Sequence, residues 1–417
     1  MTATTRIKSI FKNNEKVVEN YFFMTALQVI NTMFGILIYP YLIRTLGAQS
    51  YGLFIFAVSV SNYFIIAIEF GFHMPALKIV AENKTDTRVK NNVVSAIFTA
   101  KFFIAIAVSA LFVIFAFLFS RINTNLALFS VVFSQIIASV IYPSWYFQGI
   151  QKMKIPTYMQ LTIRVLSLPF LFLFIHTGDD ILIYATIFSA SNIVNALLCV
   201  LYLYKYEYIK YQFVKFSAIK QYFNDAKPFF WSSSTGVIKE ESVNILIGSL
   251  FGMSELAFYN LAEKIVKIPR LLTMNINDAI FPKFISENKK NNVSKIIKFE
   301  MWIGIAIIAL IIIFGKWAVL LLGGNEMQSA YPMAVILSIT ILVWLIVGSY
   351  ISFVFIPAKK YYFVTKNQFV ALLSFLLFFT IGILITKSIY VIIISITLSG
   401  VFEVLYCKYL IKKHKML

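Results

Sequence analysis

Cysteine and histidine are nearly absent from this chain: 2 and 3 respectively in 417 residues. Cys199 and Cys407 both fall inside apolar runs, so they define neither a disulfide framework nor a redox compartment. His73, His176 and His414 are scattered without metal-ligand spacing, which speaks against a metal centre. No G-x-x-x-x-G-K-[ST] loop occurs, so the chain does not by itself hydrolyse ATP through such a loop. Dispersed serines and histidines offer no nucleophile and base in sequence, so no catalytic residue and no cofactor is expected, and an enzyme is disfavoured. Acids are scarce as well: 18 Asp and Glu stand against 37 Lys and Arg, a formal charge of +19. The basic residues are spread along the chain and do not form one block. That spread suits lipid headgroups and excludes nucleic acid as the expected partner.

What the chain has is apolar length. Hydrophobic residues make up 60% of it, and the mean hydropathy is +0.81. About twelve runs reach the roughly 20 residues that cross a bilayer as helix. The first two are Tyr21 to Ile43 and Tyr51 to Phe72, the seventh and eighth Pro228 to Phe251 and Glu255 to Phe281, and the last Ile389 to Leu410. Of the 37 basic residues, 27 lie at the two ends and in every second gap between these runs. The remaining gaps hold only Arg44, Arg121, Lys316 and Lys387. By the positive-inside rule both termini and the even gaps are expected in the cytoplasm, which an even number of crossings requires. The first run is too long for a signal peptide and lacks a small-residue cleavage site, so it is expected to stay attached.

The longest basic gap, Lys205 to Lys227, divides the chain in two. The expected organisation is an amino-terminal six-helix bundle over residues 1–204, a cytoplasmic linker over 205–227 and a carboxy-terminal six-helix bundle over 228–417. The halves echo one another. Leu46-Gly47-Ala48-Gln49-Ser50-Tyr51-Gly52 follows the first run, and Phe251-Gly252-Met253-Ser254-Glu255 follows the seventh. Pro75 pairs with Pro282, and Pro143 with Pro357, at similar offsets. Two parallel six-helix repeats are expected, related by an axis along the membrane normal, with a substrate site between them near mid-membrane.

Ionisable side chains within the apolar runs mark the candidate site, because each costs roughly 2.5 to 3.5 kcal/mol at a helix centre unless it faces a cavity or a partner. On the eighth run Asn260, Glu263, Lys267, Arg270 and Asn277 fall at spacings of three, four and seven and share a stripe, with Lys264 adjoining. Glu263 and Lys267 are spaced to pair. On the seventh, Ser232, Thr235, Lys239 and Ser242 form a second stripe beside Glu240 and Glu241. The amino half supplies Asn31, Asn62, Glu69, Lys101 and Arg164 as an opposite wall. Cations at depth suit an anionic cargo, and a guanidinium suits phosphate because its fork donates two parallel hydrogen bonds. Glu69, Glu240 and Glu263 either balance these bases or bind a coupling cation.

The stretches YPYLIRTLGAQSYGLFIFAVSVSNYFIIAIEFGF (Tyr39 to Phe72), WYFQGIQKMK (Trp145 to Lys154) and FGMSELAFYNLAEKI (Phe251 to Ile265) resemble the bacterial Wzx-type O-antigen translocases. These are flippases of the multidrug/oligosaccharidyl-lipid/polysaccharide exporter superfamily. The resemblance implies an all-α polytopic membrane protein of two six-helix bundles around a central cavity. It implies as cargo an oligosaccharide on undecaprenyl pyrophosphate, moved from the cytoplasmic to the periplasmic leaflet of the inner membrane by alternating access, as an antiporter of protons or sodium. Other polysaccharide-assembly proteins are further expected partners. Two alternatives stay open: a cation-coupled multidrug exporter of the same superfamily, which a basic-rich cavity disfavours, and a membrane polymerase or ligase, which the short external gaps disfavour.

Overall fold

A computed structural model describes residues 15–287 and 293–416. Arg6, Lys8, Lys12, Lys289 and Lys290, and the side chains of Ser232 and Asn277, lie outside the described residues. Among the described residues the chain is helical throughout, without strands. The helices are α1 (Glu15–Glu69), α2 (His73–Glu82), α3 (Thr87–Leu118), α4 (Ser120–Thr124), α5 (Leu126–Phe133), α6 (Ile136–Ile141), α7 (Ser144–Gly149) and α8 (Lys154–Phe174). After them come α9 (Ile181–Tyr206), α10 (Phe216–Leu250), α11 (Met253–Glu287), α12 (Val293–Gly323), α13 (Ala330–Tyr350), α14 (Tyr361–Ile385) and α15 (Ile389–Lys413).

Nine helical stretches among the described residues are long and apolar enough to cross a membrane. This number differs from the expected twelve for two physical reasons. Phe22–Glu69 counts as one stretch of 48 residues but covers most of both the first and the second expected segments. Gly47, at φ 74°, breaks it between them. The seventh and eighth expected segments lie in α10 and α11, which are 35 residues long and therefore ample for a crossing, yet are not among the nine. Lys239, Glu240 and Glu241 sit close together on α10, and Glu263, Lys264, Lys267 and Arg270 occupy eight residues of α11. Those charges lower the apolar signal in the two helices where the sequence locates the site.

The described chain forms two compact units. One holds the residues up to Gly35 together with Ala57–Ser234; the other holds Ile36–Phe56 and Thr235–Leu417. In the first, Phe72, Val80, Ile97, Tyr146, Phe147 and Leu203 belong to one buried cluster that joins α2, α3, α7 and α9. In the second, α13 packs against α11, α12 and α15, and α14 packs against α15. A π-helical turn, Ile351–Phe355, extends α13 and turns Phe353, Val354 and Phe355 into the core.

Between α9 and α10 the first unit fastens an extended strap to a helix. Asn91 Oδ1 accepts from the Lys210 N–H (2.7 Å), Ser95 Oγ from the Gln212 N–H (3.2 Å) and Thr99 Oγ1 from the Val214 N–H (3.2 Å). The Ser95 hydroxyl also donates to the Lys210 carbonyl (3.1 Å). The geometry works because four helical residues rise about 6 Å and two extended residues rise about 6.6 Å. A polar residue at every fourth position of α3 therefore meets every second amide of the strap. Side chains alternate accordingly: Ile209 is buried and Tyr211 half-buried, its hydroxyl donating to the Ile141 carbonyl (3.1 Å), while Tyr208 and Lys210 are exposed. At the strap's start Glu207 accepts from Lys152 (2.5 Å) and pairs with buried Lys90 (3.7 Å). The hydrogen bond to Glu207 holds the Lys152 ammonium above the ordinary lysine value.

Candidate functional site

A cavity of about 470 Å³ lies inside the second unit, walled by α10, α11, α13, α14 and α15. Its charged lining comes from two helical stripes. Thr235, Lys239 and Val243 repeat every four residues along α10, with Glu240 beside them; Tyr259, Glu263, Lys267 and Arg270 do so every three or four along α11. Of the residues singled out from sequence, Lys239, Glu240, Glu263, Lys267 and Arg270 are thus brought together.

The cations are held in different ways. Lys267 Nζ lies 3.0 Å from Glu263 Oε1, one turn away on the same helix, and 3.9 Å from Glu240 Oε2 on α10. Lys239 Nζ donates to Ser399 Oγ on α15 at 2.8 Å. The Arg270 guanidinium stands 4.9 Å from the Trp344 ring centroid, a cation–π contact, and among the described residues it makes no ion pair and donates no hydrogen bond. A group with five N–H donors is therefore held over an aromatic face, its donors unengaged among the described residues.

Glu403 of α15 and Gln368 of α14 also line the cavity, and neither was among the residues expected at the site. Asn367 Nδ2, almost wholly buried, donates to Glu403 Oε1 at 2.8 Å. Glu403 was legible in principle, as a lone acid within the last apolar run. With it, the lining carries three bases (Lys239, Lys267 and Arg270) and three acids (Glu240, Glu263 and Glu403). Its formal charge balances, so attraction for an anion rests on which cation is unpaired and not on a net positive field.

The remaining expected residues lie elsewhere. Lys264, next to Glu263, points off the stripe because successive helical residues are turned by about 100°. Its ammonium sits 5.2 Å from the Tyr39 ring centroid, and it does not line the cavity. Asn260 accepts from the Tyr51 hydroxyl at 3.3 Å, a bond between α1 and α11. In the first unit Lys101, 1% exposed, pairs with Glu69 at 2.8 Å and donates to the Ser139 carbonyl at 2.9 Å. Arg164 stands 4.9 Å from the Phe34 ring, Asn31 Oδ1 accepts from Gln160 at 2.9 Å, and Asn62 is half-buried on α1.

Among the described residues, helices long and apolar enough to cross a bilayer and an ion-lined cavity within one unit define a polytopic, all-helical membrane fold. Solved structures share the fold. A multidrug resistance MATE family transporter of the MOP superfamily in its inward-facing conformation matches with a TM-score of 0.69 over 93% of this chain and 95% of that one, at 14% identity. The lipid II flippase MurJ, inward closed, matches with a TM-score of 0.68 over 95% of this chain and 87% of that one, at 13% identity. The polysaccharide biosynthesis protein family matches residues 17–286, and the chain belongs to it. An Escherichia coli (strain K12) protein named as a candidate O-antigen transporter is 26% identical over 305 residues, which are 73% of this chain and 72% of that protein.

Proposed function

We propose that this chain is a flippase for undecaprenyl-pyrophosphate-linked oligosaccharide of the O-antigen type. It carries the unit from the cytoplasmic to the periplasmic leaflet of the bacterial inner membrane by alternating access, with both termini cytoplasmic and a cation gradient as the drive. Membership of the polysaccharide biosynthesis family supports a polysaccharide cargo. The observation that carries the reading is Arg270, whose donors are unengaged among the described residues inside a cavity where the other two bases are already bonded. Guanidinium and phosphate oxygens match as a bidentate pair, and such pairs are about twice as strong as neutral hydrogen bonds. Lys267 and Lys239, each with N–H donors beyond those already bonded to Glu263 and Ser399, add further donors within the same space.

The test is export of surface polysaccharide in a strain depending on this chain. Arg270→Ala is expected to abolish export at near-normal protein abundance, and Arg270→Lys to restore it only in part, because a point charge replaces the fork. Normal export by Arg270→Ala overturns the assignment, and loss of the variant from the membrane assigns Arg270 a structural role instead.

A further inference from the structure

A diphosphate has many acceptors and almost no donors, so it does not account for the whole cavity. Gln368 and Glu403 both line the same space. Gln368 Oε1 is closed off from solvent and receives no hydrogen bond among the described residues. A buried acceptor left this way costs about 1–3 kcal/mol, a cost relieved when the Gln368 side chain turns its amide toward a donor that arrives with the occupant. Glu403 receives one hydrogen bond, from Asn367, onto a carboxylate with room for several. Asn367 is almost wholly buried and fixes the orientation of that carboxylate.

Beside this wall a Cβ added to Gly236 would meet nothing within 4 Å, so the absent side chain widens the cavity. Trp344 contributes an aromatic surface. Lys239 and Arg270 line the same space, so the Glu403 carboxylate already has cations about it and is poorly suited to a metal ion. An uncharged, donor-rich group fits better: the hydroxyls and amide N–H groups of a sugar. In a diphosphate-linked glycan the first sugar is bonded directly to the phosphate, which sets it within one residue's reach of the Arg270 position. At about 470 Å³ the cavity falls in the range of small-molecule sites, suited to a headgroup and its first sugar.

We infer that Gln368 and Glu403, the latter oriented by Asn367, form a sugar-reading wall that accepts hydrogen bonds from the sugar joined to the diphosphate. The inference rests on the diphosphate reading of Arg270, and the experiment separates the two.

Purified protein in nanodiscs is titrated with undecaprenyl pyrophosphate and with the undecaprenyl-linked glycan extracted from the source strain. The wild type is expected to bind the glycosylated lipid about tenfold more tightly than the bare one, the worth of one or two satisfied acceptors. In Glu403→Gln and Gln368→Ala this ratio is expected to fall to about one to threefold. A wild-type ratio of about one, or an undiminished ratio in both variants, overturns the sugar-reading wall while leaving the diphosphate reading standing. Bare undecaprenyl pyrophosphate that binds no better to the wild type than to Arg270→Ala overturns the diphosphate reading itself. Should one variant fail to elute as the wild type does, the other decides, since Glu403→Gln is isosteric and Gln368→Ala only shortens a side chain.

Discussion

Ser254 donates its hydroxyl to Gln49 Oε1 across 3.0 Å, and the two residues are 205 positions apart, the same offset that separates Gly47 from Gly252. The motif shared by the two halves of the sequence therefore meets its own copy in the fold. Both glycines adopt left-handed backbone, φ 74° and 107°, and at both a Cβ would meet nothing within 4 Å. Their requirement is conformational. Gly52 is the opposite case: its φ is ordinary, but a Cβ would collide with the Met253 backbone carbonyl at the start of α11.

These two requirements predict different penalties. Gly47→Ala and Gly252→Ala are expected to cost about 1–2 kcal/mol each through backbone strain. Gly52→Ala is expected to cost about 3 kcal/mol or more, because backbone and not a side chain must move. Thermal unfolding in detergent orders the three variants, and a mild Gly52→Ala would contradict the close approach of α1 to α11.

A second prediction concerns Lys101. Its ammonium is buried against half-exposed Glu69 and the Ser139 carbonyl, so Glu69→Gln leaves a buried charge without its counter-ion. A loss of about 3 kcal/mol is expected. Lys101→Met combined with Glu69→Gln should recover much of it, since no charge is then stranded. If Glu69→Gln keeps full stability yet loses export, the acid belongs to the transport chemistry and not to this pair.

How much of this was readable from sequence follows from what each residue's neighbours are. Apolar runs and the basic residues between them are local properties, so the helices and the charged stripe on α11 could be read directly. The pairing of Glu263 with Lys267 is equally local, one turn apart. Which charges share a space is not local: Lys264 and Lys267 look alike in sequence, yet one packs on Tyr39 and the other faces the cavity. Glu403 lies close to the basic carboxy-terminal stretch, so sequence alone does not separate it from a surface acid. Only the packing of α15 against α14 and α13 brings it to the site. Gln368 and Trp344 carry no sequence signal of their own, being an ordinary amide and an ordinary aromatic in apolar helices.

The acids at the cavity lead to a third prediction. If Glu263 only balances Lys267, Glu263→Gln is expected to disturb cargo binding; if it carries a coupling cation, binding persists and dependence on the gradient is lost. Proteoliposomes in which flipping and ion flux are followed together, under imposed proton or sodium gradients, separate the outcomes. The geometry favours the first, because Glu263 already sits 3.0 Å from an ammonium. Flipping that ignores both gradients would remove cation coupling from the proposed mechanism.

The strap between α9 and α10 gives a fourth. In amide hydrogen exchange, Lys210, Gln212 and Val214 are expected to be protected while Tyr211 and Phe213 exchange faster, an alternation that no helix produces. Ser95→Ala is expected to release Gln212 selectively, with Val214 affected less. Uniform exchange from Tyr208 to Val214 would mean that the strap is not fastened to α3 in solution.

Connecting loops usually tolerate insertions and deletions, since nothing counts their residues. Here something does. Each amide of the strap that faces α3 is matched to one turn of that helix, so adding a single residue before Lys210 would bring the wrong parity of amides to Asn91, Ser95 and Thr99. It would also swap the faces, turning Ile209 and Tyr211 outward and Tyr208 and Lys210 inward, as a register slip does to a β-strand. Length change is then tolerated only in steps of two residues, and the segment that joins the two halves of the sequence is metered by the pitch of a neighbouring helix.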